Sequence, residues 1–149
     1  MDAQGAQIAR ESGGLIVYPI VARDNAFMLR SYLRTALRWQ KGRQQSGYDK
    51  MLLLQSLWPL PFDVYILRFP QGSEIAPHTD AVSSGRHYRL NIVIKRATTG
   101  GEFVCATPIY ASSRIKLFRP DACEHSVTRV VRGSRYVLSI GWIRRGGTG

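Results

Sequence analysis

The sequence predicts one α+β domain in which a helix precedes a β-sandwich or β-barrel. The chain has 149 residues, which is the size of a single domain. One segment near the N-terminus carries apolar residues at helical spacing. From Phe62 onward, short strand-like segments alternate with turn signals, a pattern typical of sandwiches and barrels. We therefore expect residues 1–149 to form one domain with a β-rich core over about residues 62–143.

The helix is predicted in the N-terminal third of the chain. Residues 1–14 are polar and glycine-rich, which predicts a flexible lead-in. Residues 15–20 predict a short strand that is interrupted by a proline. Asp24 is a suitable N-cap. The apolar residues that follow at three- and four-residue steps predict a helix over residues 24–40 with a core-facing stripe: Ala26, Leu29, Leu33, Ala36 and Leu37.

The remainder of the chain is predicted to consist of loops and strands. Residues 41–50 contain glycine and serine and predict a loop, whereas the apolar residues 51–60 end in two prolines and fit no single element. Six strand-like segments follow: residues 63–69, 87–95, 102–105, 114–118, 125–131 and 135–143. In two of them apolar residues alternate, and we interpret these residues as the core face of the sheet: Tyr88, Leu90, Ile92 and Ile94, and Tyr136, Leu138, Ile140 and Trp142.

The composition excludes a helical membrane protein and a disulfide-rich scaffold. No apolar run approaches the roughly 20 residues of a membrane span, and the polar N-terminus lacks a secretory signal, so we expect no membrane association and a cytoplasmic location. The two cysteines, Cys105 and Cys123, fit no disulfide framework and no zinc pattern. They are predicted to be reduced, packed thiols.

The charge of the chain is strongly positive. Lysine and arginine number 21 against 10 aspartates and glutamates, which gives a formal charge of +11. Such a field attracts polyanions, including nucleic acid. The basic residues are scattered, however, and this pattern is equally typical of a solvated arginine-rich surface. No feature of the sequence indicates an oligomeric state.

Two of the three histidines have the spacing of a metal site. His78 and Asp80 are two residues apart in a predicted extended segment, so their side chains project to one face. His125, at the start of a later strand, would complete the site. Two imidazoles and one carboxylate with open positions suit Fe(II) that activates dioxygen. A His-x-Asp triplet alone is also found as a hydrogen-bonded surface pair, and an aspartate here could cap a turn.

Arg135 adds an anion-binding group to this set. It follows His125 by ten residues across a turn, so the two residues are expected on adjacent strands. The planar guanidinium binds a carboxylate through two hydrogen bonds, as a dicarboxylate co-substrate would require. The alternative is that Arg135 pairs with an acid of the protein.

In this order the motifs resemble the 2-oxoglutarate/Fe(II) dioxygenase superfamily. They are Gly72-x5-His78-x-Asp80, then Gly100-Gly101-Glu102-Phe103, then His125 and Arg135. Residues 68–72 resemble the strand before the metal motif in AlkB-type and prolyl-hydroxylase-type enzymes. Residues 125–135 are similar to the closing strands of prolyl-hydroxylase-like enzymes, and residues 88–91 are similar to aspartyl/asparaginyl hydroxylases.

The resemblance implies a fold, a chemistry and a set of site residues. The implied fold is a double-stranded β-helix, or jelly roll, with the N-terminal helix packed outside the larger sheet. Fe(II) would be held by His78, Asp80 and His125, and 2-oxoglutarate and O2 would be co-substrates. Arg135 would bind 2-oxoglutarate. The implied further 2-oxoglutarate contacts are Arg89 and Asn91.

Three positions depart from the family pattern. Phe69 stands where many relatives have a tyrosine whose hydroxyl bonds the co-substrate. Asn91 replaces a histidine of the aspartyl hydroxylases, and those enzymes lack the carboxylate ligand that Asp80 provides here.

The implied reaction hydroxylates a C–H bond of an amino-acid, peptide or protein substrate, and releases succinate and CO2. The positive charge favours a different substrate, a nucleobase of DNA or RNA. A third interpretation is a non-catalytic jelly-roll module that binds anionic polymers.

Overall fold

The computed structural model describes residues 36–42, 47–56 and 61–145 of the chain. Within these ranges the secondary structure consists of strands and turns, with no helix. The strands are β1 (Trp39–Lys41), β2 (Asp49–Ser56), β3 (Phe62–Phe69), β4 (Ile75–His78), β5 (Arg86–Lys95), β6 (Thr99–Gly100), β7 (Phe103–Cys105), β8 (Tyr110–Ala111), β9 (Ile115–Phe118), β10 (His125–Val127), β11 (Val130–Arg132) and β12 (Arg135–Arg144).

A seven-stranded antiparallel sheet forms one layer of the fold. Its strand order is β1-β2-β3-β12-β5-β9-β8. The last strand, β12, therefore lies between β3 and β5. It has the alternating residues that a strand with two different faces requires. Its register places Arg135 opposite Phe69, and Gly141 opposite both Asp63 and Arg89.

Two smaller sheets form the other layer. One has the order β4-β10-β7, and the second pairs β11 with β6. Gly100 in β6 has a φ of 77°, and a Cβ atom there would overlap the carbonyl oxygen of Arg129. Glycine is therefore required for the close approach of these two strands.

The hydrophobic core lies between the two layers. Phe69 and Val137 of the large sheet pack against Val127 and Val130 of the smaller ones. Tyr48, Leu67, Ile75, Ala97 and Phe103 surround this cluster. At the edge of the core, Asp49 accepts two hydrogen bonds from Arg68 on the neighbouring strand, at 2.7 and 3.1 Å, and lies 3.0 Å from Lys41.

The predicted β-sandwich is confirmed, and five of its six predicted strands correspond to strands of the structure within one residue at each end. The sixth, over residues 125–131, is divided into β10 and β11 by residues 128 and 129, which belong to neither strand. The predicted loop over residues 41–50 is wrong at both ends, because Lys41 closes β1 and Asp49 opens β2. Among the described residues there is no helix that could cross a membrane.

The predicted helix over residues 24–40 is wrong at its C-terminal end. Residues 36 and 37 form a turn, and β1 begins at Trp39 and pairs with β2. Strand pairing overrides helical spacing here because it satisfies the backbone groups of this segment. Residues 24–35, the lead-in at 1–14 and the strand predicted at 15–20 lie outside the described residues.

The prediction of reduced thiols is also wrong, because Cys105 and Cys123 form a disulfide. Their Cα atoms are 6.5 Å apart, and 18 positions separate them in the sequence. The fold brings β7 and the turn before β10 together, which sequence spacing does not reveal.

Candidate metal centre

His78, Asp80 and His125 meet at one end of the small sheet. His78 closes β4, His125 opens β10, and the two residues are directly opposite in the register. The Asp80 carboxylate lies 3.7 Å from His78 Nε2 and 3.9 Å from His125 Nε2. Each of the three residues offers one potential ligand atom, and these three atoms all lie within 4.8 Å of one another. The structure therefore brings together the three residues that the sequence predicted as metal ligands.

Backbone carbonyl groups fix the direction of both imidazoles. His78 Nδ1 lies 2.9 Å from the oxygen of Ala76, and His125 Nδ1 lies 3.0 Å from the oxygen of Cys123. Since a carbonyl oxygen can only accept a hydrogen bond, each Nδ1 carries the proton and donates it. Each Nε2 then presents its lone pair toward Asp80, as a metal ligand must.

His125 is held in the neutral form that binds metals. Burial lowers the pKa of its imidazole; the hydrogen bond to Cys123 opposes this shift, and the nearby charges of His78 and Arg89 reinforce it. The rings of Phe118 and Phe103 lie 5.0 and 6.1 Å from the His125 ring and exclude water from its sides. Two imidazoles and one carboxylate form a donor set that fits Fe(II). His78, Asp80 and His125 could therefore hold this ion.

The metal centre faces a cavity between the two layers. The cavity has a volume of about 450 Å³ and is lined by residues of both layers, including the three predicted ligands. All three predicted 2-oxoglutarate contacts also line it: Arg135, Arg89 and Asn91. The cavity is large enough for a small dicarboxylate together with part of a second molecule.

Arg135 occupies one end of this cavity. It is 5% exposed, and its guanidinium carbon lies 5.3 Å from the centre of the Phe69 ring. Burial lowers the pKa of Arg135 to about 10, although the charge of Glu102 opposes this shift. Among the described residues, no carboxylate forms an ion pair with Arg135. A buried charge in this state is costly unless a ligand neutralises it.

Tyr48 contacts the same phenylalanine ring as Arg135 and was not identified from the sequence. Its ring stacks on Phe69 with the centroids 5.2 Å apart, and both residues line the cavity. Tyr48 thus adds a second aromatic ring to the cavity wall next to Phe69. It precedes β2 in a segment predicted as a loop, and no motif marks it.

Arg89 lies far from Arg135 along the sheet. Its guanidinium donates to Ser139 Oγ at 2.9 Å and lies 3.1 Å from the Asp63 carboxylate. Arg89 is opposite Gly141, six positions after Arg135 on the same strand, which corresponds to about 20 Å along the strand. Its charge acts on the pKa of His125. Arg89 therefore belongs to the metal end of the cavity.

Two more polar residues of β5 line the metal end of the cavity. Asn91 and His87 are buried on the same face as Arg89. Within the described part of the chain, Asn91 Oδ1 and His87 Nδ1 have no hydrogen-bond partner. Burial is the largest cause of a lowered pKa at His87, and the charge of Arg89 adds to it. The cavity side of β5 is therefore polar and incompletely hydrogen-bonded.

Comparisons with known proteins give structural matches without sequence matches. No family model matches the chain, and no curated protein matches it. A prolyl-4-hydroxylase from Pseudomonas putida superposes with a TM-score of 0.56 at 16% identity, over 82% of this chain and 85% of the other. The viral collagen prolyl hydroxylase of Paramecium bursaria Chlorella virus-1, in a 2OG complex, gives 0.52 at 14% identity, over 80% and 88%. The cupin domain of Schizosaccharomyces pombe Cnp3 gives 0.51 at 12% identity, over 72% and 69%.

The chain has the fold of the 2-oxoglutarate oxygenases and cupins. This bears out the jelly roll implied by the sequence motifs. Both groups share the fold, so the similarity alone does not separate an oxygenase from a non-enzymatic cupin. The distinction depends on the residues inside the cavity.

Proposed function

We propose that this protein is an Fe(II)- and 2-oxoglutarate-dependent dioxygenase that hydroxylates a C–H bond of an amino-acid, peptide or protein substrate and releases succinate and CO2. One observation carries this proposal. A His–Asp–His metal centre and a buried arginine with no ion-pair partner among the described residues line the same cavity. A binding module needs neither a redox-metal donor set nor a buried carboxylate clamp.

Each residue has a defined task in this proposal. His78, Asp80 and His125 hold the iron, which supplies dioxygen activation coupled to the oxidative decarboxylation of 2-oxoglutarate. Arg135 donates two hydrogen bonds to the distal carboxylate of 2-oxoglutarate, and that carboxylate neutralises its buried charge. Arg89 and Asn91 are proposed as contacts at the metal end of the co-substrate, because they lie too far along the sheet to share the carboxylate held by Arg135.

Metal and co-substrate binding test the proposal separately. Alanine at His78, Asp80 or His125 should remove the bound metal, as measured by metal analysis after dialysis. Arg135→Lys should weaken 2-oxoglutarate binding by about 1–3 kcal/mol, because lysine keeps the charge and loses the planar fork. Its metal content should not change. Equal metal content in the wild type and all three alanine variants would rule out this site.

Two arginines that adjoin cavity-lining residues in the sequence favour nucleic acid as a second candidate substrate. Arg86 and Arg144 are exposed and directly opposite each other on β5 and β12. Like charges in this position repel each other, and a phosphate backbone would relieve the repulsion. The formal charge of +11 is in keeping with such a partner.

Succinate production with Fe(II), 2-oxoglutarate and either peptides or oligonucleotides compares the two substrates directly. If nucleic acid is the substrate, the logarithm of its affinity should fall by about 0.7–0.9 per phosphate contact for each tenfold increase in salt. Arg86→Glu should weaken oligonucleotide binding without changing metal content. Binding that does not depend on salt would leave the peptide or amino-acid substrate. Oligonucleotide binding that continues in the metal-free alanine variants, with no succinate formed by the wild type, would instead support a non-catalytic module.

A further inference from the structure

The Cys105–Cys123 disulfide lies beside one metal ligand. Cys105 is directly opposite His125 in the register of β7 and β10. Cys123 precedes His125 by two residues, and its carbonyl oxygen accepts the hydrogen bond from His125 Nδ1 at 3.0 Å. The disulfide therefore links the strand next to His125 to the peptide group that orients its imidazole.

The backbone at Cys123 lies in a buried turn just before β10. Its amide donates to the carbonyl oxygen of Arg119 at 2.8 Å within a tight turn, and the residue is 4% exposed. The strand β10 begins only at His125, so Cys123 itself lies outside the sheet. The covalent bond to β7 thus fixes a segment that strand pairing does not hold.

The disulfide also closes a ring around the aromatic side of the site. The ring spans a sequence separation of 18 residues and contains β8 and β9. Phe118, at the end of β9, packs against the His125 ring and lies 4.8 Å from Phe103 of β7. Opening the ring would loosen both the carbonyl group that orients His125 and the aromatic ring that covers it.

His78 provides an internal comparison. Its Nδ1 donates to Ala76, which belongs to the same strand β4. Neither residue lies in the ring closed by the disulfide. The link therefore acts on one of the two imidazole ligands.

We propose that the Cys105–Cys123 disulfide positions His125, so that the metal affinity of the site depends on the redox state of these cysteines. The inference rests on the metal centre of the proposed function. In the reductive step, two electrons and two protons convert the disulfide into two thiols, and a dithiol reductant becomes its own disulfide. In a reducing compartment such reductants favour the open form. An oxidising compartment favours the closed, high-affinity form.

Binding of Mn²⁺ to the purified full chain tests this inference. Mn²⁺ prefers nitrogen and oxygen ligands to thiolate, so the freed cysteines do not compete as ligands. Free Mn²⁺ is measured by its electron paramagnetic resonance signal. A water-soluble phosphine, which becomes a phosphine oxide, serves as the reductant because it adds no thiol. Reduction should weaken Mn²⁺ binding about tenfold, the effect typical of losing a group that orients a metal ligand. Reoxidation should restore it.

The double variant Cys105→Ser/Cys123→Ser separates positioning from other effects of reduction. It should bind Mn²⁺ as weakly as the reduced wild type and respond to neither reductant nor oxidant. Leu52→Ala is the matched control for general destabilisation, because Leu52 is buried in β2 and does not line the cavity. It should lower thermal stability and leave Mn²⁺ affinity unchanged.

The outcomes distinguish failure of the inference from failure of the metal site. Equal Mn²⁺ affinity in the oxidised wild type, the reduced wild type and the double variant would overturn the positioning role while retaining the site. A loss of affinity in Leu52→Ala as large as in the double variant would overturn it too, because stability alone would then explain the effect. If the oxidised wild type binds Mn²⁺ no better than His78→Ala, the metal centre itself is refuted.

Discussion

Arg135→Met is expected to stabilise the protein and to abolish its response to 2-oxoglutarate. Burial lowers the pKa of Arg135 to about 10, well below the usual range of a guanidinium group. A depressed pKa means that the folded state disfavours the charged guanidinium relative to the unfolded state. At pH 7 the group is charged in both states, so the penalty is fully present, and it disappears only as the pH rises above about 10.

The size of the effect follows from this difference. Since one pKa unit corresponds to 1.36 kcal/mol, the buried charge lowers the free energy of unfolding by about 3 kcal/mol. Methionine removes the charge and retains an unbranched apolar chain. The loss of the cation–π contact with Phe69 subtracts about 1 kcal/mol. Arg135→Met should therefore increase the free energy of unfolding by about 2 kcal/mol.

Urea unfolding at pH 7, followed by circular dichroism, measures this difference with and without 2-oxoglutarate. The ligand at one hundred times its dissociation constant should add about 2.7 kcal/mol to the wild type and nothing to the variant. Arg132→Met is the matched control, because Arg132 is exposed on β11, and it should change stability by less than about 0.5 kcal/mol. If Arg135→Met is less stable than the wild type and is still stabilised by 2-oxoglutarate, Arg135 is a structural residue and the carboxylate binds elsewhere.

Three further predictions concern stability. Burial alone would raise the pKa of Asp49, but hydrogen bonds from Arg68 and Lys41 lower it on balance, so stability should fall as the pH drops below about 4. Asp49→Asn should reduce this dependence of stability on acid pH, as measured by urea unfolding between pH 7 and 3. A variant whose stability falls with pH as steeply as that of the wild type would contradict this prediction. Gly72→Ala should lower the free energy of unfolding by about 1 kcal/mol, and Gly100→Ala should lower it by about 3 kcal/mol. Both glycines have a positive φ, but of these two positions only position 100 lacks space for a Cβ atom. Equal melting temperatures of the two variants would refute this prediction. Phosphine reduction should lower the free energy of unfolding by about 3 kcal/mol, from loop-closure entropy, and denaturation curves that coincide would argue against it.

The candidate metal centre was predictable because few residue types can form one. The chain has only three histidines, and the i, i+2 spacing of His78 and Asp80 determines that both side chains reach one face of an extended segment. His125 was predicted as the third ligand because it begins a separate predicted strand. Strand register then completes the site, and register depends on contacts that local sequence does not contain.

The direction of the strand faces was not predictable from alternation. Apolar residues alternate in β5 and β12, and this alternation predicted that they form the core face. In the structure the other face is the more buried one, with Asn91, Val93, Val137 and Ser139. A two-residue period distinguishes two faces but does not tell which one lines a cavity, and a cavity that binds polar ligands requires polar residues inside.

The position of β12 in the large sheet has a consequence for how the chain acquires its structure. The strands β3 and β5 are not neighbours until β12, which follows both in the sequence, inserts between them. A growing chain that ends before Arg135 has two unpaired strand edges and lacks the buried arginine of the cavity. We therefore expect folding to be slow, because these pairings join distant parts of the sequence, and we expect the nascent chain to need protection from edge-to-edge association. In pulse-labelling hydrogen exchange, the amides of β3 and β5 that pair with β12 should become protected together with those of β12.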